Sequence, residues 1–381
     1  MSKDYSPLLV RSISDVRKGD WSPLEDPQSP FADWEFLRSL EDGGCVGGAT
    51  GWTPLYLTLW DGDALVGATF LYEKTNSYGE YIFDWSWAEA ALRAGIRYYP
   101  KLASAIPFTP ASCRKFLIHQ DRREEEEAIV AALLSRLRDL QGHFSSTHYY
   151  FTSAQENRYL REEAFLIRHS FQYHWENRGY ARFKDFLHAF KSRKAKQVRK
   201  ERGWVANLRI STSTGDELSA QAGADFFPFY LSTIEAKGAI PYLTREFFSL
   251  IFERLRHRIL LIKAFDGEAL VAQALYFYKG EKLFGRYWGS TREVEFLHFE
   301  LCYYQGIEFA IKHGLSVFEA GAQGEHKIAR GFLPTLTFSA HDFTSPGLKS
   351  AVAQFVEREK ASIAETFKYL EEYSPFKSPT E

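Results

Sequence analysis

The sequence predicts a mixed α/β fold made of two tandem copies of one unit, each a largely antiparallel central sheet flanked by helices. Residues 259–290 contain three apolar, β-branched and aromatic runs separated by the turn dipeptides Asp266-Gly267 and Lys279-Gly280, a pattern typical of an antiparallel meander. Residues 55–85 show the same order of runs, and their Asp61-Gly62 corresponds to Asp266-Gly267. A duplication of one unit explains this similarity.

The length of 381 residues exceeds the size at which one hydrophobic core stops growing, so two domains are expected, at 1–179 and 180–381. Lys and Arg number 47 against 49 Asp and Glu, which gives a net charge of -2. This balance excludes a protein that binds polyanions through its bulk charge, so any contact with nucleic acid must be local.

The three cysteines, Cys45, Cys113 and Cys302, lie far apart without the spacing of metal ligands, which favours free thiols in a reducing compartment. The N-terminus lacks the apolar core of a signal peptide, and no apolar run approaches the ~18 residues that a membrane span requires. We expect a cytoplasmic protein with no membrane span, no metal site and no tightly bound cofactor.

The first copy begins with residues 1–50, where many prolines and glycines surround one predicted helix at 32–40. The meander of 55–85 follows, with its third strand near residue 81. An amphipathic helix is predicted at 122–140, and a strand at 148–151 comes after it.

The second copy adds more helices to its meander. Two are predicted at 225–255, and a third begins at residue 297 and ends where Gly314 stops the apolar periodicity. A long amphipathic helix at 348–370 closes the chain.

The alignment of the copies also pairs Gly79-Glu80-Tyr81 with Gly285-Arg286-Tyr287, and His174 with His341. The copies differ most in the loop after their last parallel strand, because residues 319–330 of the second copy are dense in charged and polar side chains. Loops just past strand ends are where α/β sheets place their sites. We therefore expect the second copy to carry the chemistry.

A basic segment lies between the copies. Residues 183–202 begin with an apolar stripe that predicts a docked helix and continue with a run of Lys and Arg in which Glu201 is the single acid. Such a run is either a solvated charged face or a surface that binds phosphate. The candidate ligands for the phosphates of a tRNA are Lys194, Arg199, Lys200 and Arg202.

Seven motifs are distinctive: 77–84 (SYGEYIFD), 98–102 (YYPKL), 106–110 (IPFTP), 174–180 (HWxNRGY), 285–289 (GRYWG), 297–300 (LHFE) and 321–327 (GAQGEHK). Through them the sequence resembles, over nearly its whole length, the FemAB-like family of peptidoglycan biosynthesis or recognition, a double-GNAT group. The resemblance implies two tandem GNAT-like domains and membership of the GNAT acyltransferase superfamily.

By analogy with that superfamily, the resemblance implies attack of an amine on an activated acyl carbon, with a base removing the proton and N–H groups holding the oxyanion. The candidate bases are His326 and Glu319, and Lys327 is a further candidate catalytic residue. His326 could equally be a satisfied structural group. The candidate substrate-binding residues are Arg286, Tyr287, Trp288, His298, Glu300, Gln323, Glu325, Arg330, Tyr78, Glu80 and Asp84.

Two donors are compatible with the resemblance, aminoacyl-tRNA and acyl-CoA. GNAT proteins that use acetyl-CoA have a Gly-rich loop after the third strand of the meander, whose N–H groups hold pyrophosphate. Residues 290–296 occupy this position and contain two acids and no glycine. FemABX enzymes, which use aminoacyl-tRNA, also lack this loop and have a basic segment similar to 194–202. The resemblance therefore favours aminoacyl-tRNA.

The expected acceptor is an amine-bearing small molecule or a compound like a peptidoglycan precursor. A non-catalytic protein that binds such a ligand is the alternative from another class, and the many aromatic residues near the motifs would suit it. Turnover with either donor would distinguish the two classes.

Overall fold

Two units, each with its own hydrophobic core, form the part of the chain that the computed structural model describes, residues 5–322 and 324–377. The first unit comprises the described residues through Ser170 together with Leu336–Ala364. The second unit comprises Phe171–Thr335 together with the described residues from Glu365 onward. Each unit is therefore built from two separate stretches of the chain.

The sheet of the first unit is mainly antiparallel. Its strands from the first copy are β1 (Ser6–Val10), β2 (Trp52–Asp61), β3 (Ala64–Lys74), β4 (Lys101–Ser104), β5 (Leu117–Ile118) and β6 (Ser146–Thr152). Strands β1 to β4 pair antiparallel in chain order, β5 pairs with β3, and β6 runs parallel to β4. Gly62 has a positive φ of 61° in the tight β2–β3 turn, which is the conformation that its predicted hairpin requires.

The sheet of the second unit repeats this order. The remaining strands are β7 (Leu166–Glu176), β8 (Arg209–Thr214), β9 (Ile259–Asp266), β10 (Ala269–Lys279), β11 (Lys282–Ser290), β12 (Val317–Glu319) and β13 (Leu333–Phe343). Strands β8 to β11 pair antiparallel in chain order, and β12 runs parallel to β11. The predicted fold class, two mixed α/β copies, is confirmed.

The last strand of each copy completes the sheet that the other copy begins. Residues 174–176 of β7 pair antiparallel with β12, and residues 338–343 of β13 pair antiparallel with β6. The boundaries of the two units thus differ from those of the expected domains at 1–179 and 180–381. The expected boundaries leave the last strand of each copy within its own domain.

Helices cover the strands of both units. They are α1 (Lys18–Trp21), α2 (Trp34–Asp42), α3 (Trp85–Arg93), α4 (Glu126–Gln141), α5 (Ala154–Glu162), α6 (Phe183–His188), α7 (Ser192–Trp204), α8 (Gln221–Ala236), α9 (Arg245–Arg254), α10 (Leu297–Phe299), α11 (Gln305–Lys312) and α12 (Pro346–Glu372). A π-helical turn, Glu300–Tyr304, joins α10 to α11. In the first core α4 contributes Ile129 and Leu133, and in the second core α11 contributes Ile307. Within the described residues no helix has both the length and the apolarity needed to cross a membrane.

Two predicted elements differ from the structure. The third strand of the first meander is β4 rather than a strand near residue 81, because residues 75–100 form an insertion that turns the side chains of Glu80 and Asp84 toward Lys101. The single helix predicted at 183–202 is divided into α6 and α7. Between them Phe190 forms a β-bridge with Phe376, which interrupts the helical hydrogen bonds.

Candidate functional site

The strands β11 and β12 part within the second unit, and the polar loop predicted as the site begins where they part. They pair only between residues 282–284 and 317–319, after which β11 continues without β12. Phe318 packs beside this divergence. A Cβ on Gly285 or Gly306 would come within 3.1 or 2.7 Å of its ring, so glycine at these positions allows the ring to pack closely against both backbones.

An aromatic and histidine cluster lies beside the loop. The ring centroids of Trp288 on β11 and His298 on α10 are 4.8 Å apart, and those of His298 and Tyr303 are 5.3 Å apart. The Tyr303 hydroxyl is hydrogen-bonded to Nε2 of His326 at 2.9 Å, and Phe299 lies 5.6 Å from the same imidazole. Tyr303 belongs to the π-helical turn, a feature frequent at functional sites. Strand β11, helix α10 and the polar loop therefore bring the predicted residues Trp288, His298 and His326 together.

The electrostatics of this cluster favour neutral imidazoles. Burial lowers the pKa of His298 to about 3, and the nearby cation of Lys327 acts in the same direction. Partial burial and nearby cations also lower the pKa of His326. Lys327 is buried, its Nζ donates to the carbonyl oxygen of Gly321 at 3.0 Å, and burial lowers its pKa to about 8. Near neutral pH the site therefore holds two neutral imidazoles, of which that of His326 is the more basic candidate, and one amine close to its own titration point.

Glu319, the second predicted base, is buried at the end of β12. Lys282 Nζ lies 3.2 Å from its carboxylate, and the register of the strands places Glu319 opposite His174. Burial lowers the pKa of the His174 imidazole, while the negative charge of Glu319 acts in the opposite direction. His174 was aligned with His341 in the sequence and was not among the predicted site residues.

Ion pairs connect α7 to the loop and to the helix after β11. Arg330 Nη2 donates to the carboxylate of Glu201 at 2.7 Å. Arg202 is paired with Glu300 at 2.9 Å and with Glu308 at 2.8 Å. Three of the predicted ligands, at positions 202, 300 and 330, are thus engaged with other protein side chains, and the guanidinium and carboxylate groups that looked available in the sequence hold the site together.

The outer face of α7 is basic. Ala195, Val198 and Glu201 are buried on its inner face. The exposed basic side chains on the opposite face are Arg193, Lys196, Arg199 and Lys200, and Lys194 lies half-buried beside them. None of these five forms an ion pair with another residue that the structure describes. Glu201, which interrupts the basic run in the sequence, therefore does not interrupt the basic surface.

The remaining predicted residues of the second copy have different surroundings. The ring of Tyr287 packs 5.7 Å from that of Tyr230 on α8, as a core side chain does. The guanidinium of Arg286 lies 5.4 Å from the ring of Tyr287. Glu325 is exposed at the start of a short 3-10 helix, Glu325–Arg330, within the polar loop. Gln323 lies outside the described residues.

The predicted residues of the first copy belong to the first unit. The carboxylates of Glu80 and Asp84 lie 2.8 and 2.5 Å from Lys101 Nζ, and all three side chains are fully buried. Lys74 Nζ lies 3.8 Å from Glu80, and burial lowers its pKa to about 7. Tyr78 is 51% exposed. The two acids therefore neutralise buried lysines, and of the three predicted residues Tyr78 is the one on the surface.

A buried histidine pair lies in the first unit and was missed by the sequence analysis. Nδ1 of His148 and Nδ1 of His341 are 2.7 Å apart. Each Nε2 is hydrogen-bonded to a serine hydroxyl at 2.8 Å, from Ser146 and Ser339 respectively. Burial lowers the pKa of both imidazoles, so the pair is neutral and fully bonded. Among the described residues no group of three or more His, Cys, Asp or Glu side chains is arranged to hold a metal ion.

Residues 12–378 match the family model of FemAB-like proteins, described as peptidoglycan biosynthesis/recognition. No protein of curated function matches the sequence significantly. The resemblance stated from the seven motifs is therefore confirmed by the family model, which extends over nearly the whole chain.

The chain is similar to several solved structures, and the first two described here share its fold. FemX is 10% identical, with a TM-score of 0.54 and coverage of 91% of this chain and 100% of that chain. The C-terminal domain of a putative lysylphosphatidylglycerol synthetase from Agrobacterium fabrum is 9% identical, with a TM-score of 0.52 and coverage of 90% and 96%. A tandem GNAT protein from the clavulanic acid biosynthesis pathway is 12% identical, with a TM-score of 0.44 and coverage of 90% and 99%.

Proposed function

Because the chain belongs to the FemAB-like family of peptidoglycan biosynthesis or recognition, we propose that it is an acyltransferase that transfers an aminoacyl or acyl group to an amine acceptor. In this reaction the acceptor nitrogen forms a C–N bond with the activated carbonyl carbon. The C–O bond to a tRNA ribose breaks, and the proton of the attacking amine passes to a base on the protein. The same scheme with a C–S bond describes an acyl-CoA donor.

The arrangement that carries this proposal is the divergence of β11 and β12, bordered by neutral imidazoles and by a lysine of lowered pKa. His326 serves as the base, because its imidazole is neutral and exposed on the loop. Lys327, when protonated, stabilises the oxyanion that forms on the carbonyl. Glu319 is less suited to the role of base because its carboxylate is buried beside Lys282, and we assign it to positioning His174.

The basic face of α7 supports aminoacyl-tRNA as the donor. Its exposed cations are available to phosphates, and the ion pair between Glu201 and Arg330 connects the same helix to the loop that carries His326 and Lys327. A polyanion held on α7 would thus lie on an element fixed to the reacting loop. The loop before α10 is less suited to a pyrophosphate, because Glu293 and Glu295 are exposed there and no glycine is present.

The acceptor that fits the family description is an amine on a compound related to a peptidoglycan precursor. Arg286 on β11 and Lys327 on the loop favour an acceptor or donor segment that carries negative charge. Protein that binds such a compound with no turnover from either donor would instead be a recognition protein.

Two experiments test the proposal. In turnover assays with charged tRNA and a precursor amine, His326→Ala should lose roughly 10²–10⁴ in kcat, as expected for loss of a general base. Lys312→Met, an exposed change at the end of α11, serves as the control. A rate unchanged by His326→Ala would refute the assignment of the base.

In binding assays at two salt concentrations, charge reversal at Arg199 and Lys200 should reduce the slope of log K against log salt by roughly one to two. Reversal at Lys360 and Lys368, exposed lysines of α12, is the matched control and should leave the slope unchanged. Tight binding of acetyl-CoA with no binding of tRNA would exclude the aminoacyl-tRNA donor and favour acyl-CoA.

A further inference from the structure

The first unit contains an insertion that the second unit lacks. Two residues, Gly280 and Glu281, connect β10 to β11, whereas residues 75–100 connect β3 to β4 at the same point of the meander. The insertion consists of a loop that includes the motif at residues 77–84 and of helix α3. None of the steps proposed for the transfer reaction uses it.

The inner face of the insertion is fixed to the sheet. Lys101 of β4 binds the carboxylates of Glu80 and Asp84. The hydroxyl of Tyr150 donates to Glu80 at 2.9 Å, and that of Tyr98 donates to Asp84 at 2.6 Å. Because these groups are buried, the loop is held in one position, and the side chains on its outer face are presented in a fixed arrangement.

The outer face is unusually apolar. Tyr78, Phe83 and Trp85 are 51%, 53% and 43% exposed, and Leu92 is 78% exposed. The rings of Tyr78 and Trp85 are 5.0 Å apart. Trp85 and Leu92 are seven residues apart on α3 and therefore lie on one stripe of the helix, while Trp87 faces the core. Exposed apolar side chains that cluster in this way mark a surface of interaction.

Charge and polarity narrow the choice of partner. Glu89, the exposed acid of α3, is already paired with Arg93 at 2.5 Å, and Arg97 is exposed just after the helix. A sugar or peptide ligand would require hydrogen-bonding groups beside the rings. The side chains of Ser77, Glu80 and Asp84 in the motif are instead buried and bonded to Tyr98, Tyr99, Lys101 and Tyr150. The polar groups that the motif leaves at the surface are the hydroxyls of Tyr78 and Tyr81, and tyrosine is enriched at membrane interfaces. Aromatic and leucine side chains with arginine at the margin match the interface of an anionic bilayer.

We propose that the outer face of residues 78–92 docks on the surface of a phospholipid bilayer, with Phe83, Trp85 and Leu92 entering the headgroup region. Arg97, which is exposed five residues after Leu92, supplies a positive charge that anionic headgroups attract. This inference is independent of the transfer reaction, because it rests on the first unit alone.

The experiment is sedimentation of the full chain with vesicles made of equal parts phosphatidylcholine and phosphatidylglycerol, in the absence of donor and acceptor. The triple variant Phe83→Ser, Trp85→Ser and Leu92→Ser should lower the partition coefficient about tenfold or more, since each apolar side chain contributes to interfacial binding. The control replaces two exposed aromatics elsewhere, Trp204→Ser and Tyr369→Ser, and should bind as the wild type does.

Should the triple variant unfold, Leu92→Ser alone, a change on the exposed stripe of α3, should still weaken binding severalfold. Wild-type protein that does not sediment with these vesicles would overturn the proposal, as would a triple variant that binds as well as the control. A dimer that dissociates when Trp85 is replaced would show that the face contacts a second copy of the chain, and would also overturn it.

Discussion

The two units place a pair of lysines at the same point of their meanders and neutralise them differently. Lys74 faces Lys101 across β3 and β4, as Lys279 faces Lys282 across β10 and β11. Like charges opposite each other in a sheet are unfavourable. In the first unit the insertion supplies Glu80 and Asp84 as buried counter-charges. In the second unit the hairpin is short, and Lys282, with 27% of its side chain exposed, is paired with Glu319.

The same contrast appears at the ends of the parallel strands. His148 of β6 lies opposite His341, in the position that Glu319 of β12 occupies opposite His174. The histidine pair is neutral, and each ring is bonded to a serine. A carboxylate in the equivalent position brings charge to the strand end where the polar loop begins. The first unit therefore uses its polar residues to build structure, and the second keeps charge beside a loop.

The largest difference in stability between the units is expected when the lysine at the start of β4 or of β11, Lys101 or Lys282, is replaced by methionine. Lys101→Met leaves two buried carboxylates without their main counter-charge, so the free energy of unfolding should fall by about 3–5 kcal/mol. Lys282→Met leaves one buried carboxylate, that of Glu319, without a partner that was itself partly exposed, and should cost less, about 1–3 kcal/mol. Urea unfolding, followed by circular dichroism, measures both changes.

Equal losses of stability from the two substitutions would contradict the comparison. They would mean that the two buried carboxylates around Lys101 make its loss no more costly than the loss of Lys282. Arg93→Met, which breaks an exposed ion pair on α3, controls for the loss of a cation in the same insertion and should change stability little.

A smaller difference is expected at two glycines that looked equivalent in the sequence. Gly79 has a φ of 78°, and an added Cβ would lie 2.5 Å from the ring of Phe108. Gly79→Ala should therefore destabilise by about 1–3 kcal/mol, from backbone strain and steric overlap together. Gly285 lies within β11, where a Cβ would approach Phe318 at 3.1 Å, and Gly285→Ala should cost about 1 kcal/mol or less.

Thermal unfolding of the two alanine variants checks this order. If Gly285→Ala were the more damaging of the two, close packing at the divergence of β11 and β12 would matter more than the positive φ of the inserted loop.

Much of the fold could be predicted because its signals are local. The turn glycines at 62, 267 and 280 have the positive φ that their hairpins require, and the alternation of apolar residues gave the strands of the second meander. The helix after β11 and the polar loop after β12 were likewise predicted from the pattern of residues within each segment. Local patterns also explain why the duplication was visible.

The parts that were missed depend on partners distant in the sequence. Residues 77–84 contain the apolar and aromatic run 81–83, which is typical of a strand, and only the contacts of Glu80 and Asp84 with Lys101 show why they form a loop. Arg330 and Glu201 are 129 residues apart, so both appeared to be available for a ligand. The exchange of last strands is invisible for the same reason, since the pattern of a strand does not specify its neighbour.

The last prediction concerns pH and Lys74, the member of the first pair with the weaker acidic contact. Burial lowers its pKa from 10.5 to about 7 in the folded protein. Between these values the unfolded chain binds a proton at this lysine that the folded chain does not, so stability should rise with pH in this window, by at most ~1.4 kcal/mol per pH unit. Below about pH 7 both states are protonated and this dependence disappears.

Lys74→Met removes the titrating group and keeps an apolar chain in contact with the ring of Trp52, over which the amine lies at 3.7 Å. The stability of the wild type relative to this variant should therefore increase as the pH is raised from 7 to 10, measured by urea unfolding at each pH. Lys368→Met serves as the control for loss of a surface charge. A difference that stays constant across the window would mean that Lys74 remains charged in the folded state, and that Glu80 neutralises both lysines of the first pair rather than mainly Lys101.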